Sequence, residues 1–295
     1  MVIEGLKQAP FNYTLMGAVR GALDHYGVPV SDAYLYGATG QAFMMNIHRE
    51  LCPSGPYCWN RDPFFRLLAN VGIAVTELGF HHAETPPEQR AASEERLRAA
   101  LDRGAPCMLV NMEYQLITGY DDTGFLTAQP WPGMGFPPAH LAFGTWSELC
   151  DEVHMDFYIL DRVEPAERAK AVRAALAYAV DLWRHPVDHT SEDYGVGPNA
   201  YQNWVEAVHR GHGASHGNWW NGTVWAECRA HAASFLKEVG DLAPDAEALS
   251  AEYAAVADLV ARCSHKEMPA PEKDELLRQA AARERACIQR MEAAL

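Results

Sequence analysis

Basic residues are scarce in this chain: 24 Lys and Arg stand against 39 Asp and Glu in 295 residues, a formal net charge of −15. With no basic stripe to offset that deficit, a nucleic-acid backbone and an anionic membrane surface are both poor partners. Long apolar runs are also missing. Met1 is followed by Val-Ile-Glu-Gly-Leu-Lys, with neither a basic leader nor ~18 consecutive apolar residues, so no signal peptide or membrane span is expected and the cytoplasm is the expected compartment. The seven cysteines are odd in number and scattered, which suits reduced, mostly buried thiols better than a disulfide framework; Cys52 and Cys58, flanking Pro-Ser-Gly-Pro-Tyr, are the pair that oxidation could join. Nucleotide-binding glycine motifs are lacking as well. Tyr36-Gly-Ala-Thr-Gly-Gln has neither a Gly-Lys-Ser/Thr ending nor a full Gly-x-Gly-x-x-Gly frame, and reads as a turn. No cofactor is implied.

What is present suffices for one large core or two ordinary ones, since 48% of residues are hydrophobic and 21% charged. The pattern predicts an α+β chain of two domains, residues 1–162 and 163–295. In the first, Leu15, Val19, Ala22 and Leu23 give a helical spacing from Thr14 to Tyr26, stopped by Gly27-Val-Pro. Strands are predicted at 74–80, 106–112, 114–120, 124–127 and 156–160, with a Gly-Asp turn joining the third and fourth as a hairpin. From Pro165 the composition shifts to Ala, Leu, Glu and Arg with helical periodicity, as in Val172, Leu176, Val180 and Trp183, and predicts a helical bundle. Loops rich in Gly, His and Asn are expected at 185–198 and 210–220. His81-His82 reads as the exposed end of a strand.

Three spacings stand out in the first half. Gln8 lies six residues before Thr14, which opens the predicted helix; Glu113 lies six before Gly119-Tyr120-Asp121; and Gln129 precedes Pro130-Trp131 at the end of the next strand. In order and spacing these segments resemble the papain-like cysteine peptidases that process double-glycine leader peptides of bacteriocins, and the related butirosin biosynthesis protein H family of acyltransferases. The resemblance covers about the first 160 residues. It implies a papain-like domain, a helix packed on an antiparallel sheet, with Thr14 at the nucleophile position, Glu113 at the histidine position, Gln129 at the aspartate position and Gln8 as the oxyanion-type glutamine. Tyr194 to Trp204 and Trp225 to His231 are similar, more loosely, to the helical extension of butirosin-type proteins. By the same resemblance Asn12, Tyr13, Thr39, Gln41, Phe43 and Trp131 are expected to line a substrate cleft.

The three reacting types are replaced, so ordinary thiol proteolysis is not expected. A thiol peptidase needs an imidazole that takes and returns a proton near neutrality, and a carboxylate with an ordinary pKa near ~4.3 is a poor base for an alcohol. Glu113 better suits a proton on an acidified carbon or nitrogen, or pairing with a substrate amine. Amides at the helix start, with Gln8, would hold an oxyanion or carboxylate. Thr14 equally suits a helix N-cap, Glu113 a solvent-facing edge carboxylate, and Gln129 a strand-end turn. A relocated thiol nucleophile stays open. Outside this set, His209, His212 and His216 have a spacing that a metal-binding loop could use, while His212, His216, Trp219 and Trp220 also suit the mouth of a cleft or an internal interface.

Three functions remain open on these grounds. The first is a small-molecule enzyme, an acyltransferase, hydrolase or lyase type, with Glu113 as acid/base. The second is a catalytically silent ligand-binding protein, and the third a metalloenzyme using the histidine loop. A small-molecule substrate is the expected partner, with neither nucleic acid nor membrane; a homo-oligomer is left open.

Overall fold

The computed structural model describes residues 1–110, 112–131, 133–144 and 154–295. In chain order the elements are α1 (Thr14–His25), α2 (Asp32–Ala38), β1 (Asn46–His48), α3 (Asp62–Leu67), β2 (Ile73–His82), α4 (Pro87–Asp102), β3 (Cys107–Val110), β4 (Tyr114–Tyr120), β5 (Gly124–Thr127), β6 (His140–Ala142), β7 (His154–Arg162), α5 (Arg168–Arg184), β8 (Tyr194–Val196), α6 (Pro198–His209), α7 (His216–Val239), α8 (Ala246–Cys263) and α9 (Ala270–Ala293). The fold is mixed α and β with an antiparallel sheet. Among the described residues no helix is long and apolar enough to cross a membrane. Asn111, within the expected strand 106–112, and Cys150 lie outside the described residues.

The chain divides into two compact units that do not follow the expected boundary at 162. One comprises Met1–Pro29 and Gly72–Pro165; the other comprises Val30–Val71 and Ala166–Leu295. The reason is pairing at long range. β1 forms a two-stranded antiparallel ladder with β8, and Gly37 at the end of α2 lies against the Phe235 ring of α7, so residues 30–71 bury their apolar surface on the helical part.

The first unit holds a six-stranded antiparallel sheet in the order β2-β7-β3-β4-β5-β6, with α1 against β4. The apolar side chains of α1 are fully buried from Leu15 to Leu23, so its polar residues need internal partners. The Lys7–Ala9 segment crosses this helix at close range. A Cβ at Gly17 would stand 2.4 Å from the Ala9 carbonyl oxygen, and one at Gly21 only 2.1 Å from that of Lys7, so the crossing requires glycine at both positions. The hairpin expected between Tyr120 and Phe125 is present; the Asp121 carboxylate accepts from the Thr123 hydroxyl and from the backbone N–H groups of Thr123 and Gly124, which hold it well below the usual carboxylate range. His81 is buried, not exposed as expected, and shares a 3.0 Å hydrogen bond with the Ser93 hydroxyl of α4; burial lowers its pKa.

The second unit is helical, with α6 to α9 packed around Trp204, Trp225, Phe235 and Tyr253. Its centre contains a wholly buried ion pair. Arg229 of α7 donates to both carboxylate oxygens of Glu284 on α9 at 2.7 and 3.3 Å, and also to the carbonyls of Ala42 and Met44, while the Tyr201 hydroxyl donates to Glu284 at 2.6 Å. The segment 210–220, expected as a loop, is instead a short 3-10 turn at 212–214 followed by the first turn of α7. Its Gly and Asn content misleads. Ser215 caps α7 through the Asn218 N–H, and the Asn218 and Asn221 amides tie α7 to the Cys263 and Cys52 carbonyls.

Candidate functional site

The first unit brings Gln8, Thr14 and Glu113 together. Thr14 is the first residue of α1, not its cap: Tyr13 holds the N-cap position, and no side chain caps the helix. The Thr14 hydroxyl, with 0% exposure, donates to Glu113 Oε2 at 2.7 Å and accepts the Tyr114 N–H at 3.1 Å. Glu113, with 7% exposure, is therefore no solvent-facing edge carboxylate. Its Oε2 is thereby hydrogen-bonded to the first residue of α1, at the helix end whose dipole favours an anion.

Gln8 departs from the oxyanion role. Its Nε2 donates to the Thr14 carbonyl at 3.2 Å and the Tyr114 carbonyl at 2.8 Å, and its Oε1 accepts the Leu116 N–H at 2.9 Å. Both amide hydrogens are thereby committed to backbone, so Gln8 joins α1 to β4 and has no donor left for a developing oxyanion. The close crossing at Gly17 and Gly21 puts it there.

Gln129 does not turn to Glu113. Its Nε2 faces the Pro137 carbonyl, and its buried Oε1 has no hydrogen-bond partner. Pairing between Ala128 and Leu116 nevertheless places residue 129 at the end of β5 beside the start of β4, the sheet end that carries Glu113. Trp131, half-buried, donates its indole N–H to the Phe11 carbonyl at 3.2 Å and so spans from this sheet end to the approach of α1. Asn12 is half-buried next to it, but Tyr13 is completely buried and cannot line a cleft as expected.

A residue missed in the sequence is Gln115. It is 2% exposed, and its amide nitrogen lies 2.8 Å from the Ala128 carbonyl, 2.9 Å from that of Pro138 and 3.2 Å from the Thr127 hydroxyl. It ties Ala128 and Pro138 to β4. The signal was a glutamine inside the apolar run Tyr114-Gln-Leu-Ile, which burial obliges to find internal partners.

Other expected site residues belong to the second unit and serve its interior. The Thr39 hydroxyl donates to the Leu35 and Tyr36 carbonyls, and Phe43 packs edge-on against Phe235 and Tyr253. Gln41 is completely buried, and neither polar atom of its side chain has a hydrogen-bond partner. Trp220 is buried with its N–H on the Tyr57 hydroxyl at 3.1 Å, whereas Trp219 is exposed and packs near His216. The histidines of 209–216 are not gathered as a ligand set: His209 pairs with Asp274 at 3.1 Å and His216 faces Trp219. Among the described residues no three His, Cys, Asp or Glu side chains are disposed to hold a metal ion.

The described cysteines are free, so Cys52 and Cys58 are unpaired here. Burial pushes the Cys107, Cys263 and Cys287 thiols up to about 12 and raises Cys228 further, which makes all four poor thiolate nucleophiles. Comparison with protein-family models gives no match, and comparison with curated proteins gives none either.

Proposed function

We propose that the first unit is a papain-like framework whose reacting positions have been rebuilt around the Glu113 carboxylate, and that it moves a proton on a small bound molecule without forming an acyl-enzyme. The hydrogen bond from the Thr14 hydroxyl to Glu113 carries this reading. Thr14 is wholly buried and engaged on both sides, so it orients the carboxylate and is unsuited to attack a substrate. Glu113 then acts as acid/base on an acidified carbon or nitrogen. Acyl transfer is the weaker variant, because the Gln8 donors that would serve an oxyanion are spent on backbone.

The test joins two measurements. Full-length protein is incubated with metabolite mixtures and the products are read by mass spectrometry, first for the wild type and then for Glu113→Gln. Conversion by the wild type that disappears in Glu113→Gln, with the melting temperature nearly unchanged, is expected; equal conversion by the variant would remove Glu113 from the mechanism. A fluorogenic peptide ending in Gly-Gly is expected to remain uncut by either protein.

A second reading, a catalytically silent binding protein, is favoured by the engagement of the Gln8 amide hydrogens and the Thr14 hydroxyl with protein acceptors, which leaves neither group to stabilise a developing charge. Ligands that raise the melting temperature and are recovered unchanged would select it.

A further inference from the structure

The second unit holds a modification site independent of the Glu113 chemistry: we propose that Cys52 and Cys58 form a reversible disulfide, closed by a low-molecular-weight disulfide such as oxidised glutathione. Accessibility separates these two thiols from the rest. Cys107, Cys228, Cys263 and Cys287 are buried, whereas Cys52 is half-buried and Cys58 exposed. Among the described cysteines they are the pair that a dissolved oxidant can reach.

The fold also gathers them. Pairing of β1 with β8 sets Tyr194 opposite His48, with the rings 5.0 Å apart. The Tyr194 hydroxyl lies 2.8 Å from the Ser54 hydroxyl and hydrogen-bonds the Cys58 thiol, and the Cys52 thiol is near enough to act on it electrostatically. Both sulfurs thus neighbour one side-chain oxygen. Burial pushes the Tyr194 pKa well up, so the hydroxyl keeps its proton and adds no negative charge beside them. Between the cysteines the chain turns back on itself: the Ser54 carbonyl accepts the N–H groups of Tyr57 at 2.9 Å and Cys58 at 3.1 Å.

Both ends of this turn are anchored. Asn221 of α7 donates to the Cys52 carbonyl at 3.0 Å, and Asn46 donates to the carbonyls of Gly55 at 2.9 Å and Cys58 at 2.8 Å. Leu51, immediately before Cys52, has φ +55°, a left-handed conformation that bulky side chains rarely take. Such strain persists where the surroundings over-determine it. Gly217 of α7 passes so close that a Cβ there would stand 1.7 Å from the Leu51 carbonyl oxygen. Two reachable thiols on a backbone held this firmly can close without unfolding the unit.

The exchange balances in two displacements. The Cys58 thiolate attacks one sulfur of oxidised glutathione and releases one glutathione; the Cys52 thiolate then attacks the Cys58 sulfur and releases the second. The two cysteines are oxidised, the small disulfide is reduced, and the two thiol protons end on the two glutathione sulfurs. Excess reduced glutathione runs the same steps backward. An exposed pair of this kind follows the redox state of its surroundings and is no permanent staple.

Arg49 and Arg61 flank the pair, so a single tryptic peptide, 50–61, carries both thiols. Full-length protein is treated with oxidised glutathione, blocked with iodoacetamide, digested without reductant and read by mass spectrometry. The peptide is expected two hydrogens lighter and unalkylated, and to regain both alkyl groups after reduction. Closure should be about tenfold or more faster in the native protein than in urea, because the fold holds the thiols together. Cys52→Ser is expected to stop with one glutathione on Cys58. Both thiols remaining alkylatable in the treated wild type would overturn the proposal, as would a wild type that stops at the mixed disulfide, a bond from Cys58 to a second molecule, or equal rates with and without urea. Should Cys52→Ser fail to fold, the wild-type peptide decides alone.

Discussion

Residue by residue, the site is a set of hydrogen bonds with few spare groups, and its members respond differently to substitution. Thr14→Val removes a hydroxyl that satisfies both Glu113 and the Tyr114 N–H while keeping the side-chain shape. Leaving two buried polar groups without that partner is expected to cost about 1–3 kcal/mol in urea unfolding, and Thr14→Ser should recover most of it. A loss below about 0.5 kcal/mol would show that the hydroxyl is not needed there. Two histidines report on pH. Burial lowers the pKa of His81, and of His231, which stacks on Tyr36 at 4.0 Å. The unfolded chain gains protons at these rings below about pH 6.5, ahead of the native chain. The stability they contribute is therefore complete above that pH and is lost as pH falls through their lowered native values. Melting temperatures measured from pH 7.5 to 5 should fall, and His81→Gln should flatten the curve; an unchanged slope would clear His81 of that role.

Among the elements, α1 was the most legible in sequence, because its apolar spacing and its stop at Tyr26-Gly27 are local properties. The β4–β5 hairpin was legible for the same reason. The atoms of the site were not. Whether Gln8 presents its amide to a ligand or to backbone depends on how Lys7–Ala9 crosses α1, and that crossing rests on two glycines whose role appears only when the segments meet. Gly21→Ala should gain up to about 1 kcal/mol in helix propensity but drive a methyl into the Lys7 carbonyl and the Leu116 side chain, so a net loss of about 2 kcal/mol or more is expected from the unfolding midpoint. The start of α7 was misread because Gly, His and Asn there suggest a loop, whereas the asparagines serve as ties between backbones. In the same unit, Glu284→Gln would strip the charge partner from the completely buried Arg229, with an expected cost of about 3–5 kcal/mol by chemical denaturation. Replacing Arg229 and Glu284 together by Met and Leu should cost less than that single change.

For the whole molecule, composition foretold an acidic chain with an α and β fold, and the shift toward Ala, Leu and Glu near Pro165 lies close to a unit boundary. The membership of residues 30–71 was hidden, since the three residues of β1 carry little local signal and their partner strand lies far downstream. That discontinuity bears on synthesis. A ribosome delivers the chain in order, so the first unit can close around its sheet only after β7 has emerged, and residues 30–71 must wait with their apolar side chains unburied until β8 and α7 exist. Expression of residues 1–165 alone would strand that insert beside an otherwise complete sheet, and slower translation after residue 165 would lengthen its exposure to chaperones and proteases.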